Sequence, residues 1–466
     1  MTMFDGASLE VSRAWLVDPA SGREGAGDIV VEDGILRAVT WLDGADAQGV
    51  DDRGVVVAPG FIDLHAHLRE PGNEDAETVA SGLAAAAHGG FTTVCAMPNT
   101  TPALDEPGVL AFVRAAAAAS GSPLELLAHG AVTVGRAGET LAALGELADA
   151  GVVGFSDDGA SVRSASVLRH ALAYAGALGL PIVDHPEDHT QTDGAEANEG
   201  YVATVLGLRG WPGAAESGAV ARAIAILGEV VRDVPGARLH LTHVSTAAAL
   251  DHVRRAKADG LPVTCDVTPH HLALTDEWVA GARRYAWEAG EGGDPWRDEA
   301  IVATPYAAAV RVNPPLRAPS DALACLAALR DGTADAIATD HAPHTEVDKA
   351  VEFGSAANGI SGIETAIGLV LAAVDAGELS LGRAVAALTS GPAAILGARS
   401  RRGGAVGLVE GASADLVVID RSSSWTVTPD GLASRGKNSP LLGMTLPGRV
   451  LVTMAAGRIA YEAPDD

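Results

Sequence analysis

Val55-Val-Val-Ala-Pro-Gly-Phe-Ile-Asp-Leu-His-Ala-His-Leu-Arg69 is the stretch on which the fold turns. Residues 55–63 are apolar enough for a buried strand, and charged and imidazole side chains cluster where it ends. In an extended chain, residues two apart project to the same side, so His65 and His67 can share one metal ion. A buried strand that ends in chemistry is the pattern of a parallel α/β barrel, whose site residues gather at the carboxyl ends of the strands.

The pattern repeats downstream. Apolar segments at 92–97, 124–128, 152–156, 181–184, 238–242, 263–267 and 336–339 read as seven further strands. Ala/Leu-rich helical segments fall between them, at 110–119, 141–150, 167–178, 218–231 and 246–258. Strand-then-helix units in series predict an α/β fold, a (β/α)8 TIM barrel spanning 58–396. The ends differ. Residues 28–36 run extended, turn at Asp33-Gly34 and run extended again. Residues 414–420, 449–454 and 459–461 are further short strands. Neither end buries a core alone, so 1–57 and 397–466 are expected to form one small β-rich domain. Residues 281–310 break the rhythm with a Gly-rich, charged stretch. It reads as a surface insertion in preference to a lid.

Composition narrows the partners. Among 466 residues, Lys+Arg number 32 against Asp+Glu 60, a formal net charge of −28, which argues against nucleic acid or an anionic membrane surface. No apolar run approaches the roughly 20 residues of a membrane span, and the first residues lack a signal-peptide pattern. Cys95, Cys265 and Cys325 form no CxxC pair, so the expected location is the cytoplasm.

The remaining strand ends are as polar as the first. They carry Asn99, then Asp157-Asp158, then His185, His243, His270-His271, and finally Asp340 with His341 and His344. Each has an ordinary structural reading: Asp340 as a helix cap, Asp157-Asp158-Gly159 as a turn. Their joint placement at successive strand ends points to a metal site instead. Imidazoles with carboxylates suit Zn²⁺, which with an open coordination position brings the pKa of its water to about 7. The three lysines, Lys257, Lys349 and Lys437, miss every strand end, so no modified lysine can bridge two metals and Asp158 is the natural substitute.

Six motifs resemble the class I dihydroorotases of the amidohydrolase superfamily: Asp63-Leu-His-Ala-His-Leu-Arg-Glu-Pro-Gly72, Ala96-Met-Pro-Asn-Thr100, Phe155-Ser-Asp-Asp-Gly159, Thr268-Pro-His-His-Leu272, Asn313-Pro-Pro-Leu-Arg317 and Ala338-Thr-Asp-His-Ala-Pro-His344. The resemblance implies that His65, His67 and Asp340 hold one zinc, that His185 and His243 hold a second, and that Asp158 bridges or contacts both. One or two Zn²⁺ per chain are expected. It makes Asp340 the catalytic acid–base and Arg69, Asn99 and His344 the grip on the substrate carboxylate. His67 and Asn313 are also expected at the substrate, with Asn358-Gly359 as the last contact, where the family more often has a hydrophobic residue than Asn358. Asp157 is expected to shape the turn, and His129, His270, His271 and His341 to be structural or to support the ligands.

The implied activity is reversible closure of N-carbamoyl-L-aspartate to L-dihydroorotate plus water, in pyrimidine (UMP) biosynthesis. Two alternatives remain at this point: another cyclic amidohydrolase, such as an allantoinase or a hydantoinase/dihydropyrimidinase, and an inactive scaffold for aspartate transcarbamoylase. A homodimer is the family's suggestion, with aspartate transcarbamoylase as a possible partner.

Overall fold

The computed structural model describes residues 2–5, 7–290, 293–400 and 406–464. Phe61–Ala66, Phe91–Ala96 and Glu125–Ala128 pair in parallel, as do Ile182–Asp184, Leu239–Leu241, Val263–Val267 and Ala336–Ile337. Phe155 bridges the two sets, paired in parallel with Gly130 on one side and Ile182 on the other. A parallel bridge from Ala66 to His341 closes the ring. The result is an eight-unit parallel barrel. Its fourth member, expected over 152–156, is reduced to a single bridging residue. The Asp157 carboxylate takes the backbone N–H groups of Val132 and Thr133, which a longer ladder would otherwise use.

The expected first strand is two strands. Val55–Pro59 lies antiparallel to Leu416–Thr426 and parallel to Ser8–Asp18, inside a sheet that joins both ends of the chain. The barrel begins only at Phe61. Gly60 marks the break because a Cβ there would collide with the side chain of Thr92 on the neighbouring strand. In the same sheet Asp33 and Gly34 both take positive φ (52° and 75°), the two-residue turn expected from Asp-Gly. Ala456-Gly457 makes a matching turn at φ 48° and 71°, and the two glycines pack backbone to backbone.

Around the barrel the helices bury their Ala/Leu faces in one continuous core. Thr246 caps Ala247–Ala258, its side chain accepting from the Ala249 N–H, immediately after the strand end that carries His243. Among the described residues of 281–310, Val310, Ile301 and Trp296 join a second apolar cluster with Trp278, Trp287 also packs against the main core, and Trp296 meets Tyr201 edge-on at 5.5 Å. The apolar run 381–399 has the length and composition of a membrane span, contrary to the reading of the sequence. It is broken at Thr389 (φ −131°, ψ −83°) and its two helices pack inside the protein, the first through Leu381, Val385 and Leu388 and the second through Ala393, Ile395 and Leu396.

Beneath the mouth lies a buried ion pair that ties the 313–317 segment to the barrel. Arg317 Nη2 is 3.3 Å from Glu216 Oε2, its Nε donates to Ser245 Oγ at 2.9 Å, and its guanidinium stacks over Trp211 at 4.3 Å. Glu216 in turn accepts from the backbone N–H of Ser245 and Thr246. Arg317→Ala leaves a buried carboxylate without its cation, so a loss of about 3 kcal/mol in urea unfolding is expected. A loss under about 0.5 kcal/mol, the range of a neutral surface change, would contradict this assignment.

Candidate active site

Six side chains converge at the carboxyl ends of the barrel strands. His65 and His67 rise from the first strand, and their Nε2 atoms stand 3.3 Å apart. Asp340, beyond the last strand, places Oδ1 at 3.0 Å from His67 Nε2 and 3.5 Å from His65 Nε2. Asp158 is central, with Oδ1 at 3.4 Å from His65, 3.3 Å from His185 Nδ1 and 3.5 Å from His243 Nε2, and Oδ2 at 3.6 Å from His67. His185 Nδ1 and His243 Nε2 are 2.9 Å apart. All six are buried.

These spacings fit metal coordination. A tetrahedral ion with bonds of about 2.0–2.1 Å sets its ligand atoms roughly 3.3–3.4 Å apart. Two sets gather their ligand atoms within 4.8 Å of one another, His65–His67–Asp340 and His65–Asp158–His243, with His65 in both. The field also favours a cation. Burial works against charge on His65 and His185, yet Asp158 and its neighbours raise them to about 9 and about 10. The donor set and its charge therefore suit a divalent metal.

The supporting groups hold the ligands in their working tautomers. Asn99 Oδ1 accepts from His67 Nδ1–H at 2.9 Å, which leaves the Nε2 lone pair facing the cluster. Glu187 Oε2 does the same for His185 at Nε2, 2.9 Å away, so Nδ1 faces inward. Two buried aspartates fix the backbone. Asp63 accepts from His65 N and Thr339 N, and Asp266 from His243 N at 2.7 Å. They brace two turns of positive φ, Asp266 at His243 itself (38°) and Asp63 at Thr339, the residue before Asp340 (45°). Glu187, Asp63 and Asp266 were not among the residues singled out from the sequence. The only signal was alternation, since Glu187 lies two residues beyond His185 and Asp63 two before His65.

A cavity of about 180 Å³ opens above the cluster, lined by every residue expected at the site except His65, which lies beneath it. Larger clefts exist, one of about 550 Å³ at the opposite end of the barrel, whose described lining residues hold no such cluster. Arg69, at φ 61°, reaches the cavity with Nε bonded to Pro343 O, and its Nη2 is 3.2 Å from His344 Nε2. Burial and the Arg69 charge hold His344 down to about 4, so it is neutral at pH 7 and donates from Nε2 to Asn358 O at 2.8 Å. The Asn358 side chain turns away to Arg311 Nε. Asn313 donates to Glu187 Oε2 at 2.8 Å, and its Oδ1 is buried without a partner. Gly359 has φ 145°, and a Cβ there would come within 2.7 Å of Ala342 and 3.0 Å of His344 Nε2, so the wall closes only around glycine.

Asp157 anchors its loop through Val132 and Thr133, as expected. His129 bonds Leu64 O, His271 bonds Pro314 O and His341 faces Glu77, while His270 is buried beside His271. None of these four lines the cavity, and neither does any described residue of 281–310.

A closed parallel barrel with imidazoles and carboxylates gathered over its strand ends suits a metal-dependent hydrolase, and the proteins it resembles make it a cyclic amide hydrolase. Among solved structures, L-hydantoinase (dihydropyrimidinase) from Arthrobacter aurescens matches at a TM-score of 0.77 and 25% identity, over 99% of this chain and 97% of its own. A family model described as Dihydro-orotase-like matches residues 54–249. The dihydroorotase of Anaeromyxobacter dehalogenans is 46% identical over 449 residues, 96% of each chain. That of Pelotomaculum thermopropionicum is 42% identical over 456 residues, 97% of this chain and 98% of its own. The chain belongs to the dihydroorotase family.

Proposed function

We propose that this chain interconverts N-carbamoyl-L-aspartate and L-dihydroorotate plus water in pyrimidine biosynthesis, with one or two Zn²⁺ at the cluster. The observation that carries the reading is the set of four imidazoles around Asp158, with Asp340 beside it, in a chain 46% identical to a dihydroorotase. His65, His67 and Asp340 would hold one ion, His185 and His243 the other, with Asp158 between them. The metal, when bound, supplies a water-derived nucleophile at neutral pH and polarises the ring amide carbonyl. Asp340 takes the proton from the attacking water and delivers it to the departing ring nitrogen. Arg69 pairs with the substrate carboxylate, a role its forked guanidinium suits, alongside Asn99 and the neutral His344. Asn313 Oδ1 offers an acceptor to a substrate N–H. Closure consumes a proton, so the ring:open ratio rises about tenfold for each pH unit of acidification.

The two-part organisation belongs to the same proposal: the catalytic barrel expected over 58–396, its first strand starting at Phe61, and the small β unit of 1–57 with 397–466, whose strand Val55–Pro59 runs two residues past that bound. So do a homodimer or an assembly with aspartate transcarbamoylase, and a cytoplasmic location, which three unpaired buried cysteines support.

Turnover of L-dihydroorotate by the purified chain, with zinc quantified on the same sample, tests the function. Activity should fall on chelation and return with zinc. Bound zinc without turnover would overturn the substrate assignment. The likeness to a hydantoinase structure supports a second reading, and faster turnover of hydantoin than of L-dihydroorotate would select it.

A further inference from the structure

The segment 433–439 leaves the small β unit and returns to the barrel mouth, where two buried carboxylates pin it. Glu364 accepts from the N–H groups of Ala433 (2.7 Å) and Ser434 (3.1 Å), and Glu77 from Ser434 Oγ (2.5 Å) and Arg435 N (3.2 Å). This fixes Asn438, itself buried, against the two stretches that form the substrate end of the cavity. Its Oδ1 accepts from His344 N at 2.8 Å, and its Nδ2 donates to Ala342 O and Gly359 O, each at 3.0 Å. Ser361 Oγ stands 2.8 Å from the same Oδ1 and 2.7 Å from Gly436 O, and its one proton serves one acceptor at a time. A flipped amide would set N–H against N–H at His344, so the network admits one orientation. Gly436 lies so close that a Cβ would come within 2.7 Å of His344 N.

We propose that Asn438 is a positioning residue for substrate, its amide clamping 342–344 to 359–361 so that His344 and Gly359 meet the substrate carboxylate. Asn438 does not line the cavity and touches none of the six cluster residues. Its loss therefore acts on binding and leaves the metal centre intact. The inference rests on the reading of His344 as a substrate contact.

The test measures KM, kcat, zinc per chain and thermal midpoint for Asn438→Ala and Asn438→Asp, with His344→Ala in parallel. The aspartate keeps the acceptor for His344 N but sets a carboxylate against two carbonyl oxygens, so both variants should displace the wall. KM for L-dihydroorotate should rise about tenfold or more, because a small misplacement of a contact is felt strongly, while kcat stays within about threefold. Zinc per chain should not change. An unchanged KM in a folded, zinc-loaded variant overturns the proposal, as does a fall in kcat and zinc together at constant KM. Failure of both variants to fold also overturns it, since Asn438 would then be an anchor of the fold. If His344→Ala leaves KM unchanged while Asn438→Ala raises it, the reading of His344 as a substrate contact fails instead.

Discussion

Asp340→Asn is expected to lower kcat for L-dihydroorotate by about a thousandfold, the scale of a lost general acid–base. Asparagine keeps the size and one oxygen of the carboxylate, so it still fits beside His67 Nε2 and His65 Nε2. It cannot take a proton from water or return one to the leaving nitrogen. Burial works to raise the Asp340 carboxyl, but the His67 ring 3.0 Å away and the charge on His65 outweigh it and hold the group ionised. The remaining ligands, His65, His67 and Asp158 among them, should keep most of the metal. The diagnostic result is therefore loss of turnover with metal largely retained and KM little changed. Near-normal kcat in that variant would remove Asp340 from the proton path and leave it as a ligand alone.

The ligands were legible because barrels confine chemistry to strand ends and because strands alternate. His65 and His67 two apart, and single polar residues closing 238–242 and 336–339, needed no tertiary information. The boundary at Gly60 was not legible: residues 55–63 are apolar on both sides of it, and what divides them is the contact with Thr92, 32 positions away. The supporting groups were harder still. Glu187 reads as one more acid in Asp184-His-Pro-Glu-Asp188, and its role appears only when Asn313, 126 positions later, folds onto the same oxygen. Asn438 sits in Ser434-Arg-Gly-Lys-Asn-Ser-Pro440, the composition of a solvent loop. Only the buried Glu77 and Glu364, supplied by the barrel, draw that loop inward.

Asp158→Ala should cost both metal and turnover, in contrast to Asp340→Asn. Among the described residues, Asp158 is the one carboxylate within 3.6 Å of all four imidazoles. Without it, the inward nitrogens of His185 and His243 face each other across 2.9 Å with no carboxylate between them, Glu187 being bonded to the outer Nε2 of His185. Removing the carboxylate also removes the main group that raises His65 and His185, so the field that favours a divalent ion weakens over the whole cluster. Changes to groups that merely orient ligands reduce metal affinity by about 10–100-fold, and deleting a central anionic ligand should exceed that. Zinc retained after dialysis should fall by at least about half, and turnover by about a hundredfold or more, with partial recovery at high added zinc. Full zinc occupancy in Asp158→Ala, whatever its activity, would show that the imidazoles suffice and that Asp158 does not join the two halves of the centre.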